Sequence, residues 1–144
     1  MSKLKAFSIF SGYQFTWMMC IFGEFIYSSY LPGLFFGLFF LSLCFFNSNN
    51  KKKFITILLY ISIPGYLFDS TLIYLNIYNF ETSLYFGLLP IWMLVLWPSF
   101  ATLFDEVFVF FSKYKLIAVV LSSILGPLAY YSGSPLGLIN INQL

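Results

Sequence analysis

The chain has 144 residues, of which 60% are hydrophobic and 8% charged, with a formal net charge of +2. A soluble domain carries about 25% charged residues. So few charges cannot coat a water-facing surface, and a mean hydropathy of +0.89 points to lipid as the surrounding solvent. All seven basic residues are lysines and histidine is absent, which excludes Ser-His-Asp and Cys-His catalysis, and the small charge argues against a nucleic-acid partner.

A helix rises about 1.5 Å per residue, so about 20 apolar residues cross a hydrocarbon core. Five stretches meet or approach that length. The first covers residues 7–28 behind Lys3 and Lys5. It holds Gln14 and Glu24 and lacks a small-x-small cleavage site, so it reads as an uncleaved anchor rather than a signal peptide. Gln14, Trp17, Ile21, Glu24 and Ser28 recur every three or four residues, one stripe of a helix.

The second stretch, 31–46, follows the reversal Tyr30-Leu31-Pro32-Gly33. Its Gly33 and Gly37 have the small-xxx-small spacing of close helix contact. After the polar loop from Asn47 to Lys53 comes the third stretch, 54–75, with a stripe of Ser62, Gly65, Asp69, Ile73 and Asn76.

The fourth stretch, 84–111, would measure about 42 Å as one helix. Pro90 and Pro98 lie within it, which predicts a tilted helix beginning near Leu88 and kinked at Pro98. A helix broken at Pro98, as in transporters, is the alternative. Here Glu106 shares a face with Ser99 and Thr102. The fifth stretch, 116–133, carries Tyr130 and Tyr131 towards its far end, and the tail from Pro135 is too short and polar to span.

With five spans, Lys3 and Lys5, Lys51 to Lys53, and Lys113 and Lys115 all fall on one side of the membrane. Positive residues stay cytoplasmic. The predicted fold is therefore an all-α polytopic transmembrane helix bundle of five spans, one domain over residues 1–144, with the N-terminus inside and the C-terminus outside.

Ionisable groups inside spans are costly and are candidates for function. Glu24, Asp69, Asp105 and Glu106 qualify, and since no span contains a lysine, no internal salt bridge is expected for them. Depth sorts the polar groups into two layers. Glu24, Asp69, Trp92 and Tyr130 form an outer candidate site. Gln14, Asp105 and Glu106 lie nearer the cytoplasm, and Trp17 lies on the stripe between. Asp69, the deepest acid, is expected to meet Trp92 and Tyr130 or Tyr131. Cys20 and Cys44 differ in depth and are expected to remain unlinked. No metal or cofactor is indicated.

Several strings occur in order: Gly12-Tyr13-Gln14 with Trp17; Phe68-Asp69; Pro90-Ile91-Trp92; Leu96-Trp97-Pro98-Ser99-Phe100-Ala101-Thr102; and Gly126-Pro127-Leu128-Ala129-Tyr130 before Gly133 and Leu136-Gly137. Together they resemble the family catalogued as domain of unknown function 2878. The resemblance implies a bacterial cytoplasmic-membrane protein with no established activity. Relatives tend to carry Asn and His where this chain has Asp105 and Glu106, and they often continue into a further hydrophobic segment. Family genes tend to neighbour genes for fatty-acyl modification, which implies a link to lipid metabolism.

Three functions fit these features. A non-catalytic membrane partner in lipid or envelope metabolism needs no catalytic constellation and ranks first. A small proton- or cation-coupled carrier would use Asp69 and Glu24. A membrane-embedded lipid-modifying enzyme would use carboxylate acid-base chemistry. The expected partners are membrane lipids, with another membrane protein or further copies of this chain.

Overall fold

Local chemistry starts and stops each helix. The computed structural model describes residues 3–80, 82–107, 109, 116, 120, 123–124, 126–129, 131, 135 and 139–141. The first helix, α1 (Lys3–Tyr27), stops where Ser28 turns to φ +48° and the Ser29 N–H reaches back to the Gly23 carbonyl at 3.2 Å. The second, α2 (Leu31–Phe46), has Pro32 in its first turn, where the missing N–H would be unpaired anyway.

The third helix, α3 (Lys51–Tyr74), is capped by the Asn50 side chain, which accepts the Lys53 N–H at 3.0 Å. It ends in a Schellman motif. Asn76 takes φ +56°, its N–H bonds to Ile73 at 2.9 Å, and the Ile77 N–H bonds to Leu72 at 3.0 Å.

Short extended pieces follow. Strand β1 (Tyr78–Phe80) pairs antiparallel with β4 (Ile139–Ile141), and β2 (Tyr85–Phe86) pairs antiparallel with β3 (Leu89–Pro90). Helix α4 (Met93–Glu106) follows β3.

The fourth apolar stretch thus differs from its prediction. Residues 85–90 form a hairpin, and helix begins at Met93 rather than near Leu88. Gly87 at φ +64° supplies the left-handed turn that a side chain would resist, and Ile91 N–H closes the reversal on the Leu84 carbonyl at 3.0 Å. Nor is there a break at Pro98, which lies inside continuous helix. Proline removes the N–H that would bond the carbonyl four residues earlier. That carbonyl belongs to Leu94, and the Tyr66 hydroxyl of α3 donates to it at 2.7 Å. A side chain from a neighbouring helix stands in for the missing donor.

The molecule is mostly helical, and successive helices alternate in direction. Glycines permit their approach. A Cβ at Gly33 would overlap Cys20, and one at Gly37 would overlap Val95. The small-residue spacing in α2 therefore serves contact with α1 and α4. The buried core joins Cys20 and Ile21 of α1, Ile73 of α3, Phe80 and Leu89, and Trp92, Met93 and Val95. Outward positions are as apolar as inward ones: Phe35, Leu67 and Tyr60 are 68%, 64% and 78% exposed.

By length and apolarity, one described helix, α3 with its 24 residues, is able to cross a membrane, while α2 is shorter. At 14 residues, α4 extends about 21 Å, so the fourth stretch does not supply the long helix expected of it. Most of the fifth stretch lies outside the described residues. Cys20 and Cys44 are not linked by a disulfide.

Candidate functional site

Two helical stripes face one another. Tyr13, Trp17 and Ile21 recur every four residues along α1. Trp92, Leu96 and Phe100 do so on the α4 side, with Met93 and Trp97 beside them. Between the stripes lies a partly open cavity of about 190 Å³, lined also by Phe80 of β1 and by Gly126 and Ala129. Six of these walls are aromatic, and none carries an ionised side chain.

The rings hold one another in edge-to-face contact, the arrangement their quadrupoles favour. Phe80 meets Trp92 at 5.9 Å and 89°, and Trp97 meets Phe100 at 5.7 Å and 83°. Tyr13 lies 5.7 Å from Phe100 at a tilt of 53°.

Asp69 stands behind this wall. It is fully buried, and its Oδ2 accepts the Trp97 indole N–H at 2.7 Å. One turn earlier, Gly65 offers bare backbone to the same indole, where a Cβ would overlap the ring. Thus Gly65 and Asp69, four residues apart on α3, form a seat for Trp97. Trp92 and Tyr130 or Tyr131 are the neighbours expected for Asp69. Tyr130 lies outside the described residues, Tyr131 is exposed, and Trp92 belongs to the cavity wall.

Glu24, also buried, closes the opposite end of α1. Its carboxylate accepts the Thr82 hydroxyl, the Ser83 hydroxyl at 2.9 Å and the Ser83 N–H at 3.1 Å. Three donors from one loop hold that loop against the bundle. Asp105 has a salt-bridge partner after all, contrary to expectation: Lys53, in the first turn of α3, contacts it at 2.5 Å. The lysine belongs to the helix itself, so it can reach an acid near the end of antiparallel α4.

The structure brings Trp17 and Trp92 together on the cavity and places Asp69 one side chain behind it. Glu24 serves the loop instead. Gln14 is exposed, since the inward face of α1 is rotated towards Thr16, Cys20 and Gly23, where small residues meet α2. Glu106 closes α4, and its side chain lies outside the description. The α3 stripe behaves as its spacing predicts at Ser62, Gly65, Asp69 and Ile73, all buried, whereas Asn76 turns outward into the cap. Sequence reasoning missed Tyr13, Trp97 and Phe100 as site residues. Their four- and three-residue spacings carried the signal, but selecting polar groups passed over it.

Among the described residues, no three His, Cys, Asp or Glu side chains gather as metal ligands would. What the cavity offers is apolar surface and ring faces. Trp92 is 2% exposed, and its indole N–H has no acceptor among the described residues. A family model described as "Protein of unknown function (DUF2878)" matches residues 7–144. No curated protein matches the chain, and neither does any solved structure.

Proposed function

The chain belongs to the DUF2878 family of proteins of unknown function, and from that premise we propose that it is a multi-pass protein of the bacterial cytoplasmic membrane, acting as a non-catalytic partner in lipid or envelope metabolism. One observation carries the reading. The described acids are engaged in fastening the fold, while the outward faces of the helices are apolar. Glu24 holds the loop at Thr82 and Ser83, Asp69 holds Trp97, and Asp105 holds Lys53. Outside, Phe35, Leu38 and Phe39 of α2 and Ile63 and Leu67 of α3 project away from the core. In water such a surface would aggregate; in lipid it is the matching solvent face.

Charge placement supports an orientation. Lys3 and Lys5 open α1 and Lys51, Lys52 and Lys53 open α3. Antiparallel α2 lies between these two helices, so the five lysines share one end of the bundle, the cytoplasmic end by the positive-inside rule. The proton- or cation-coupled carrier draws less support, because Glu24 and Asp69 already accept hydrogen bonds that position a loop and a helix.

The test is deletion of the gene followed by lipid analysis of the host membrane, with carbonate extraction of the tagged protein. The expected result is a protein retained in the extracted membrane and a changed acyl composition in the deletion strain. Unchanged lipids with altered ion or solute sensitivity would favour the carrier.

A further inference from the structure

From the groove between α2 and α3 we infer a binding site for an anionic phospholipid, with an acyl chain along the groove and the phosphate at Lys51. The inference rests on the membrane reading, which brings the lipid to the site.

Three observations combine. First, α2 packs on α1 and α4 through Gly33 and Gly37, and beside α3 it leaves an open groove of about 320 Å³. Leu38, Leu41 and Phe45 line it from α2, and Phe54, Ile55 and Leu58 from α3. Its one hydroxyl, that of Ser42, donates to the Leu38 carbonyl of its own helix at 2.8 Å. The rise from Leu38 to Phe45 is about 10 Å, a length of apolar wall that suits a slender chain.

Second, the groove ends at a cation. Lys51 Nζ lies 5.7 Å from the centre of the Phe45 ring, and Phe45 meets Phe54 across the groove at 6.0 Å. Third, the first turn of α3 reads Lys51-Lys52-Lys53 and holds no acid. A helix N-terminus favours anions and disfavours cations. Lys53 is answered by Asp105, whereas Lys51 turns to the groove. The positive-inside rule alone would be met equally by lysines in the turn before Asn50. An anion at this spot is attracted both by Lys51 and by the helix terminus.

Other occupants fit less well. A free anion would leave the apolar groove bare, and an uncharged lipid would bring no charge to Lys51. A second copy in the same orientation would bring its own lysines to the same level, where like charges repel. An anionic phospholipid meets both demands. Anionic head groups are concentrated at the cytoplasmic leaflet, the level to which the lysines assign this end.

The full-length protein in a charge-neutral detergent is titrated with phosphatidylglycerol and phosphatidylcholine of identical chains, and bound lipids are counted by native mass spectrometry. Phosphatidylglycerol should saturate one site and bind about fivefold more tightly, the factor for ~1 kcal/mol per lysine near an anionic surface. Lys51→Gln should remove that preference. Lys3→Gln deletes the same charge at the same end but outside the groove, so it should retain the preference. Ile55 is 45% exposed, so Ile55→Trp fills the groove without entering the core and should weaken both lipids.

Equal affinity for the two lipids, or an equal loss from Lys51→Gln and Lys3→Gln, overturns the site. Retention of that same protein in carbonate-extracted membranes would leave the membrane reading standing. Selective binding lost in Lys51→Gln, by a protein that carbonate strips from membranes, upholds the site and removes the multi-pass reading. A dimer that Ile55→Trp abolishes, with no lipid selectivity, gives the groove to a second copy and overturns the inference.

Discussion

Replacing Tyr66 with phenylalanine isolates one atom whose role the geometry defines. The Tyr66 hydroxyl donates to the Leu94 carbonyl at 2.7 Å, the carbonyl that Pro98 leaves without its helical donor. Tyr66→Phe keeps the ring and its packing against the core and leaves that oxygen without the Tyr66 donor. An unsatisfied buried polar group costs about 1–3 kcal/mol, and interhelical hydrogen bonds in membranes average nearer 0.6 and reach about 1.7. A loss of about 1–2 kcal/mol follows.

A double-mutant cycle makes the argument specific. Pro98→Ala returns an N–H to Leu94 through the helix itself, so in that background the Tyr66 hydroxyl has a second donor beside it. Tyr66→Phe should then cost at least about 0.5 kcal/mol less, the lower end of coupling between contacting residues. The assay is reversible unfolding in mixed micelles followed by far-ultraviolet circular dichroism. Equal costs in the two backgrounds would refute the substitution of one donor for the other.

Other changes test the remaining fastenings. Gly65→Leu should destabilise by about 1–3 kcal/mol through overpacking, because its side chain would occupy the seat of the Trp97 indole; a rise in thermal midpoint would contradict this. Glu24→Ala should release the loop and cost about 2–3 kcal/mol, since hydrogen bonds to a charged group are worth about 1.5–3 each. Hydrogen exchange at the Ser83 amide, which donates to Glu24, should quicken, and unchanged protection would refute the fastening. Lys53→Ala should change stability by less than about 1 kcal/mol, because the Lys53 side chain is 60% exposed; a larger loss would mean the pair is more shielded than its exposure indicates.

Much of this molecule was legible from local chemistry. Pro32 sits where a first turn tolerates it, and the Ser62-Gly65-Asp69-Ile73 spacing marks the face of α3 that is buried, whereas residues 51–53, expected in a polar loop, open α3 behind the Asn50 cap. Such features depend on residues within one or two turns, and the backbone obeys them wherever the helix later packs. The lysine positions likewise follow from sequence once the helices alternate in direction. Family membership was legible too, in strings whose order spans most of the chain.

Tertiary structure decided which groups meet. Asp69 lies 28 residues from Trp97 and Glu24 lies 58 from Thr82, and no periodicity within one helix selects a partner on another. The rotation of α1, which turns Gln14 outward and Tyr13 towards the cavity, follows from small residues of α1 seeking the glycines of α2. Residues 84–92 are apolar enough to read as helix. They form a hairpin and turn because the left-handed turn at Gly87 and the lost donor at Pro90 combine with a receptive bundle end. A continuous helix through Pro98, finally, rests on a hydroxyl from α3. Sequence fixes where a donor is missing, but only the assembled bundle determines what replaces it.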